Sequence, residues 1–439
     1  MKSAIQRGTA ARAGHDPRAL ALRVIDRVLA GRENSQAALD AALRGARLVP
    51  TDTGLCTQLV YGYLRQGMRL DWVLARSMSN PEKLPVEMRL TLGLAAYEMA
   101  FLRIPGYASV DWAVSRIRHR FSRTLAGVAN AVLRRFSLNG NNFHDPAFYE
   151  ASIENPQERR AIWHSLPLWL VRLWEGAYGE EQAALYMAAS GSEAVPAVRV
   201  NGSRDGAAQL RNELIGEHGG IAVGAWGAAF PQGLPYIARN LEKTGRISFQ
   251  SAAAQEALQA MLPHAWQSPV WDACSGRGGK TAALLELGLD VRLASDVAAS
   301  RRNSLPQEMA RLGLPLPELA GGVEQVPAGA RFATILVDAP CSGLGTLCRR
   351  PEIRFRRQLA DIAGMAAIQD AILDSATAHL LPGGLLAYVT CTLSPEENQK
   401  RSDAFLSRHQ GFVCEREWST AADSPWREFF YAAALRKNK

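Results

Sequence analysis

The chain has 439 residues, of which 47% are hydrophobic and 21% are charged, fractions that are ordinary for a soluble globular protein. This length predicts roughly two to three domains with sizeable cores. No run approaches the ~18 apolar residues of a membrane span, and residues 1–20 lack the apolar centre of a secretion signal. These features exclude a membrane partner, and we expect the protein to be cytoplasmic.

The net charge of +8 is unevenly distributed along the chain. Residues 1–140 contain 21 Lys and Arg against 10 Asp and Glu, so the remaining 299 residues carry about −3. Nineteen of those 21 cations are arginines, including the run from Arg116 to Arg123 and the pair Arg134 and Arg135. This ratio favours a phosphate backbone as partner over a merely solvated helix face.

The six cysteines are scattered and form no CxxC pair. Cys341 and Cys348 are seven residues apart with no histidine nearby, so the sequence predicts no zinc site and no other metal. We expect free thiols in a reducing compartment. The cysteines are Cys56, Cys274, Cys341, Cys348, Cys391 and Cys414.

The first part of the chain reads as helical. Apolar residues recur at helical spacing from Ala19 to Leu29, from Leu55 to Leu64 and from Leu90 to Leu102. This periodicity predicts an all-helical bundle over residues 17–140. Residues 139–156 are polar and rich in helix breakers, which predicts a linker.

The middle of the chain, residues 157–245, mixes both kinds of element. A helix is predicted around Leu168–Tyr178, a strand over Ala197–Val200 and a second helix near Ala207–His218. We expect a small α+β connector.

From residue 246 onward short apolar runs alternate with helical patterns. Strands are predicted at Pro269–Ala273, Val291–Ser295, Phe332–Asp338 and Leu385–Cys391. This alternation predicts an α/β fold, a parallel sheet with helices on both faces, in which ligands bind at the carboxyl ends of the strands.

A glycine-rich loop, DACSGRGGKT (Asp272–Thr281), follows the first of these strands. A P-loop would need glycine where Cys274 stands, and a dinucleotide fingerprint would need glycine at Thr281, so both motifs fail on spacing. A strand, a glycine turn and a helix N-terminus still favour an anionic or nucleotide-like ligand.

Acids and thiols follow the other three strands. Asp296 lies 18 residues after Gly278, where a carboxylate can accept both hydroxyls of a ribose; the glycine loop upstream favours this role over a helix N-cap ahead of Val297, although the two are compatible. Asp338 and Cys341 follow the third strand, and Cys391 ends the fourth. Because the carboxyl ends of parallel strands share one edge, we expect the two thiols to face one crevice.

Two thiols and a carboxylate beside a nucleotide-like ligand fit the methylation of a cytosine. A thiolate that adds to carbon 6 activates carbon 5 toward an electrophilic methyl group, and the carboxylate hydrogen-bonds the base. A second basic group then removes the carbon 5 proton so that the thiol can leave. We expect Lys280, Arg349 and Arg350 to lower the thiol pKa. The residues alone leave the roles of the two thiols exchangeable.

Three stretches of the C-terminal part resemble the RNA cytosine-carbon-5 methyltransferases, a family with a Rossmann-like fold: DACSGRGGKT, VDAPCSGLGTLCRRPEIRFR and YVTCTLSPEEN. The resemblance implies that Cys391 is the nucleophile, that Cys341 assists product release and that Asp338 contacts the cytosine. It also implies S-adenosylmethionine as the cofactor. The residues implied to bind the cofactor are Cys274, Ser275, Gly276, Arg277, Gly278, Gly279, Lys280, Asp296 and Asp338.

The N-terminal part resembles the antitermination factor NusB in the stretches LVYGYLR, RLTLGLAAYEMAFLRIPGYASVDWAVSRIR and VANAVLRR. The resemblance implies a multidomain protein: a NusB-like all-α RNA-binding domain over 1–145, the α+β connector over 146–245 and the methyltransferase domain over 246–439. A NusB-like domain before this catalytic domain implies small-subunit (16S) ribosomal RNA, or an early pre-ribosomal particle, as partner. We expect a monomer.

Other functions stay open at this point. An RNA-binding or assembly protein with an inactive methyltransferase fold is suggested by the NusB-like half and by Arg277, which stands where the family commonly has proline. The intact Asp338, Cys341 and Cys391 favour an enzyme. Methylation of an exocyclic amino nitrogen is disfavoured, because that reaction needs no thiol. A transfer RNA substrate fits the same chemistry.

Overall fold

The computed structural model describes residues 16–138 and 142–439. Residues 1–15, which contain most of the segment tested for a secretion signal, lie outside the described residues. Within the described ranges no helix is long and apolar enough to cross a membrane.

The chain divides into two compact units. The helical unit comprises the chain up to Ser192 together with Leu347–Arg357, and the sheet unit comprises Glu193–Thr346 together with Gln358–Lys439. Because contacts define these units, the domain boundaries at residues 145 and 245 stay predictions.

The helical unit is all-α, as predicted. The carboxylate of Asp16 and the amide oxygen of Asn34 accept hydrogen bonds from backbone N–H groups and cap the first two helices. The apolar faces of the helices bury one core of leucine, valine and alanine. The principal helices are α1 (Pro17–Leu29), α2 (Ser35–Arg44), α3 (Pro50–Ala75), α4 (Val86–Phe101), α5 (Gly106–Arg120), α6 (Arg123–Leu138), α7 (Pro146–Glu150), α8 (Pro156–Trp163) and α9 (Leu168–Gly191).

The segment expected to be a linker is packed in the helical unit where it is described. Phe143 and Tyr149 are buried in the core. The Arg69 guanidinium carbon lies 4.3 Å from the ring centroid of Phe143 and 3.9 Å from that of Trp163, within reach of cation–π attraction. The linker prediction is therefore wrong where the segment is described, because it relied on the polar and helix-breaking residues and gave no weight to the aromatic ones.

The segment Leu347–Arg357, which includes a short helix at Ile353–Arg356, packs within the helical unit. The buried Arg354 guanidinium donates to the carbonyl oxygens of Arg65, Ser165 and Ser190 at 2.6, 3.0 and 2.7 Å. Spacing along the sequence carries no signal for this long-range packing.

The sheet unit begins with a small antiparallel sheet in the order β2-β3-β1-β4. The predicted strand Ala197–Val200 is confirmed as β1, and the helix predicted after it is confirmed as α10. The elements of this part are β1 (Ala197–Val200), α10 (Ala207–Gly216), β2 (Ile221–Val223), β3 (Gly227–Ala229), α11 (Ala238–Lys243) and β4 (Ile247–Phe249).

A second, seven-stranded sheet occupies the rest of the sheet unit, in the order β10-β11-β9-β8-β5-β6-β7. Its strands are β5 (Val270–Asp272), β6 (Val291–Ser295), β7 (Glu318–Ala320), β8 (Phe332–Asp338), β9 (Leu380–Thr390), β10 (Phe412–Ser419) and β11 (Tyr431–Lys437). Its helices are α12 (Ala252–Ala260), α13 (Gly279–Glu286), α14 (Ala299–Arg302), α15 (Leu305–Leu312), α16 (Leu359–Thr377) and α17 (Gln399–Arg408).

The four predicted strands form the centre of this sheet and are mutually parallel. β10 and β11 pair antiparallel, so the sheet is mixed rather than purely parallel. The sequence did not predict these two strands, because FVCEREWS is charged and exposed and the alanine-rich YAAALRK has low strand propensity. The Rossmann-like α/β class is confirmed.

Candidate active site

The glycine loop joins β5 to α13. Gly276 and Gly278 have φ of +57° and +86°, in the left-handed region that glycine adopts without strain. Gly278 is the N-cap of α13, and a Cβ at this position would lie 3.3 Å from Leu305 and Met309. The loop therefore turns sharply and presents the first N–H groups of a helix, as the sequence predicted.

Asp296 follows β6 and holds the glycine loop directly. Its carboxylate accepts the backbone N–H of Gly276 at 3.1 Å and that of Ala298 at 2.8 Å. The next helix, α14, begins at Ala299 with Ala298 as its N-cap, so the alternative of a helix cap is wrong. The structure brings the acid and the loop together.

Asp272, at the end of β5, is fully buried. Thr281 donates to its Oδ2 at 2.6 Å, while Oδ1 has no hydrogen-bond partner among the described residues. Burial raises the pKa of this carboxyl to about 7. From the sequence we assigned no role to Asp272, because nothing in the sequence shows that an acid at the end of a strand is buried.

Asp338 ends β8 and pairs with Lys280 of α13, whose Nζ lies 2.6 Å from its Oδ2. Lys280 is almost fully buried. Burial of the Cys274 thiol and the negative charges of Asp272, Asp338 and Asp296 raise the pKa of that thiol. Three carboxylates thus surround the glycine loop at the carboxyl edge of the sheet.

The two predicted thiols lie side by side. Cys341 Sγ is 3.3 Å from Cys391 Sγ, and the backbone N–H of Cys391 donates to Cys341 Sγ at 3.4 Å. This confirms the expectation that the ends of β8 and β9 place both cysteines in one crevice.

The sequence led us to expect that nearby cations lower the thiol pKa. For Cys341 this expectation is wrong. The contact with the Cys391 thiol, together with burial, raises that pKa well above its ordinary value. Lys280 is engaged by Asp338, and Arg350 belongs to the helical-unit segment, where its Nε lies 4.0 Å from Glu352. Arg349 belongs to the same segment.

Beneath the thiols lies a buried polar network that sequence reasoning missed. Glu397 is fully buried and accepts hydrogen bonds from Ser342, Gln369 and Thr392. Its place in the stretch SPEEN was the only signal, because nothing in the spacing shows which of two adjacent glutamates is buried.

A second missed residue, Arg199 of β1, supports the glycine loop from the connector. Its guanidinium forms two hydrogen bonds with Glu286 at 2.7 and 2.9 Å and donates to the Gly279 carbonyl at 2.8 Å and the Gln250 side chain at 2.6 Å. Arg199 and Glu286 are both buried.

The site fits S-adenosylmethionine chemically. This cofactor carries a sulfonium cation, an ammonium group and ribose hydroxyls, for which carboxylates are suitable partners, and helix N–H groups suit its carboxylate. The groups present are the N–H donors of the loop and the acceptor oxygens of Asp272, Asp296 and Asp338. Across residues 16–138 and 142–439 no group of three or more His, Cys, Asp or Glu side chains is arranged to hold a metal ion.

Two family models match the chain: the NusB family over residues 15–138, and the 16S rRNA methyltransferase RsmB/F family over residues 259–425. Among solved structures, PH0851 is 22% identical and has a TM-score of 0.76, with 96% of this chain and 99% of that chain covered. NSun6 from Pyrococcus horikoshii, solved with SFG, is 20% identical with a TM-score of 0.52, covering 62% and 98%. At these identities the two structures support the fold alone.

Curated relatives match most of the chain. Ribosomal RNA small subunit methyltransferase B from Vibrio cholerae is 32% identical over 386 residues, which is 84% of either chain. The enzyme of that name from Pseudomonas syringae is 32% identical over 416 residues, 90% of this chain and 88% of its own. With both parts of the chain matched, it belongs to the ribosomal RNA small subunit methyltransferase B family of S-adenosylmethionine-dependent methyltransferases.

Proposed function

We propose that the protein methylates carbon 5 of a cytosine in small-subunit ribosomal RNA, in the cytoplasm, through a covalent bond between Cys391 and the base. One observation carries the proposal: two thiols lie 3.3 Å apart at the sheet edge that also bears Asp338. Methylation of an amino nitrogen needs no thiol. The names of the relatives support ribosomal RNA as the substrate.

When bound, S-adenosylmethionine would supply the electrophilic methyl group and leave as the neutral thioether; its analogue SFG is present in the NSun6 structure. In this chain the glycine loop and Asp296 would hold it. Arg199 fixes the carbonyl of Gly279 and so keeps the loop in one conformation. Arg277 is exposed on this loop.

The target cytosine must leave its stack, because a thiol cannot reach carbon 6 of a stacked base. Asp338 accepts a hydrogen bond from the base and orients it. The Cys391 thiolate adds to carbon 6, and the electron pair of the carbon 5–carbon 6 double bond takes up the methyl group at carbon 5.

Product release requires loss of the carbon 5 proton and cleavage of the bond between sulfur and carbon 6. We assign this step to Cys341, whose sulfur lies beside that of Cys391. The Cys341 sulfur acts as the base in its thiolate form, and it becomes the thiol when it takes the carbon 5 proton. The electron pair then restores the double bond, and Cys391 leaves as the thiolate.

The helical unit supplies the RNA contact in this proposal. The arginines that are close together in the sequence differ in their ion pairing: Arg116 and Arg120 both pair with Glu87. Three exposed arginines of α5 and α6, Arg118, Arg123 and Arg134, instead line a groove of about 840 Å³. Within residues 16–138 and 142–439 no carboxylate forms an ion pair with any of these groove arginines.

The test compares wild type, Cys391→Ala and Cys341→Ala on unmethylated small-subunit rRNA with labelled S-adenosylmethionine. We expect Cys391→Ala to transfer no methyl group and form no adduct, and Cys341→Ala to accumulate an RNA–protein adduct that survives denaturation. The exposed Cys414→Ala is the matched control and should resemble wild type.

Each other outcome has a defined meaning. The reverse pattern would make Cys341 the nucleophile. Methyl transfer by Cys391→Ala at the wild-type rate would exclude the covalent route through that residue. Transfer to transfer RNA but not to rRNA would move the substrate to tRNA. Wild type that neither transfers a methyl group nor binds S-adenosylmethionine would favour an RNA assembly protein.

A further inference from the structure

We propose that Glu397 is a positioning residue that sets the separation and orientation of the two thiols. The inference rests on the proposed roles of Cys341 and Cys391. Glu397 binds Ser342 and Thr392, the residues that directly follow the two cysteines.

One carboxylate thus joins the two loops that carry the thiols. Its Oε2 accepts the backbone N–H of Ser342 at 2.8 Å, and its Oε1 accepts the Ser342 hydroxyl and, at 3.4 Å, the Thr392 hydroxyl. The two hydroxyl oxygens are themselves 2.6 Å apart. A shift of either loop would break at least one of these bonds, so the network restrains the distance between the sulfurs.

Glu397 is in turn held rigidly. The Gln369 side-chain amide donates to its Oε2 at 3.1 Å and to the Pro340 carbonyl, just before Cys341, at 2.9 Å. The Tyr388 hydroxyl donates to the Glu397 carbonyl at 2.6 Å. Two reacting side chains keep a fixed geometry only if the residues that hold them are themselves fixed by packing and hydrogen bonds, and Glu397 is fixed in this way.

The burial of the Glu397 carboxylate supports a specific structural role. Glu397 has no exposed surface, and burial raises its pKa. A buried carboxylate persists only where hydrogen bonds offset its desolvation, and here the donors come from both cysteine loops and from α16. The adjacent Glu396 is exposed and pairs with Lys400, so it serves as the matched control.

The experiment compares Glu397→Ala, Glu397→Gln and Glu396→Ala. Glutamine has the reach of glutamate and can bond the same groups once the Ser342 and Thr392 hydroxyls rotate, whereas alanine reaches none of them. We expect Glu397→Ala to lower kcat about 10- to 100-fold, with the Kd for S-adenosylmethionine unchanged within about twofold. Glu397→Gln should stay within about threefold of wild type, as should Glu396→Ala.

A second readout is independent of methyl transfer. Phenylarsine oxide condenses with two thiols, forming two arsenic–sulfur bonds and releasing one water, and it binds tightly only where the sulfurs are close together. We expect Glu397→Ala to weaken arsenical binding about tenfold and Glu397→Gln to preserve it, with Cys391→Ala as the non-binding reference. Because no RNA or cofactor is involved, this measurement stands even if the proposed methylation fails.

Two results would overturn the inference. Arsenical binding and kcat of Glu397→Ala equal to wild type would show that the carboxylate does not position the thiols. Equal damage by glutamine and alanine would show that the charge matters rather than the reach. If Glu397→Ala does not fold, Ser342→Ala, which removes one hydroxyl and keeps the backbone bond, should give an intermediate loss of both readouts.

Discussion

At the scale of single residues, the site depends on groups whose burial the sequence does not reveal. Asp272 ends β5 and is the first residue of the glycine loop, yet it is fully buried with one oxygen unpaired in the described structure. Gly345 lies on the loop after Cys341, and its backbone N–H donates to the Cys391 carbonyl at 3.1 Å. Each leads to a prediction.

Asp272→Asn should stabilise the protein most at alkaline pH. The folded pKa of about 7 lies above the ordinary value of 3.8, so protonation stabilises the fold as the pH falls from 7 toward 4, and the buried charge costs stability above pH 7. We expect a gain on the order of 1–2 kcal/mol at pH 8 and a smaller one at pH 5, measured by urea unfolding. The exposed Asp290→Asn is the control, and a larger gain at pH 5 would contradict the sign of the shift.

Gly345→Ala should impair catalysis by separating the two cysteine loops. A Cβ at this position would lie 2.0 Å from the Phe429 carbonyl oxygen and 3.0 Å from the Cys391 carbonyl oxygen, and backbone atoms cannot move away as a side chain can. We expect at least about a tenfold loss of kcat in a methyl-transfer assay. Gly364→Ala, where nothing lies within 4 Å, should leave kcat unchanged; wild-type activity of Gly345→Ala would refute the tight fit.

At the scale of elements, strand β1 of the connector supports the glycine loop through Arg199. Arg199 reaches α13 and the loop with a planar fork of donors that a lysine ammonium does not reproduce. The small antiparallel sheet therefore acts as a support for the larger sheet rather than as a mere spacer.

Arg199→Lys should weaken cofactor binding. The change leaves Glu286 and the Gly279 carbonyl without their full set of donors, and we expect the Kd for S-adenosylmethionine to rise about tenfold in isothermal titration. Arg211→Lys is the control, since Arg211 donates to the Gly224 carbonyl on the exposed side of the connector. An unchanged Kd would show that the loop holds its conformation without Arg199.

At the scale of the whole molecule, the N-terminal excess of positive charge and the two neighbouring thiols belong to different units. The N-terminal 140 residues carry 21 Lys and Arg against 10 Asp and Glu, and the sheet unit carries both thiols. We expect phosphate affinity and methyl transfer to be separable by mutation.

Replacing Arg118, Arg123 and Arg134 together by glutamine should weaken RNA binding in a salt-dependent way. Each phosphate contact that is lost lowers the slope of log affinity against log salt by about 0.7–0.9, so we expect a reduction of about 2 to 3. Fluorescence anisotropy with an rRNA fragment at several salt concentrations measures it. The control replaces Arg116 and Arg120, which pair with Glu87. An equal effect of both sets would mean that the groove has no special role.

The sequence by itself determined the two fold classes, the central strands and the residues at their ends. Strands Val291–Ser295 and Phe332–Asp338 were predicted to the residue, because buried parallel strands are short apolar runs with clear ends. The pairing of Cys341 with Cys391 followed from topology, since parallel strands bring their carboxyl ends to one edge. The roles of these residues came from family resemblance and stay proposals.

Only the tertiary structure decided which polar side chains support the site. Glu397 and Glu396 are adjacent and chemically identical, yet one is buried beneath both thiols and the other pairs with Lys400 at the surface. Likewise Arg354 packs among helices far away in the sequence, and the raised pKa of Cys341 reflects the neighbouring sulfur and burial. Such environments depend on contacts between distant segments, which local periodicity and spacing do not encode.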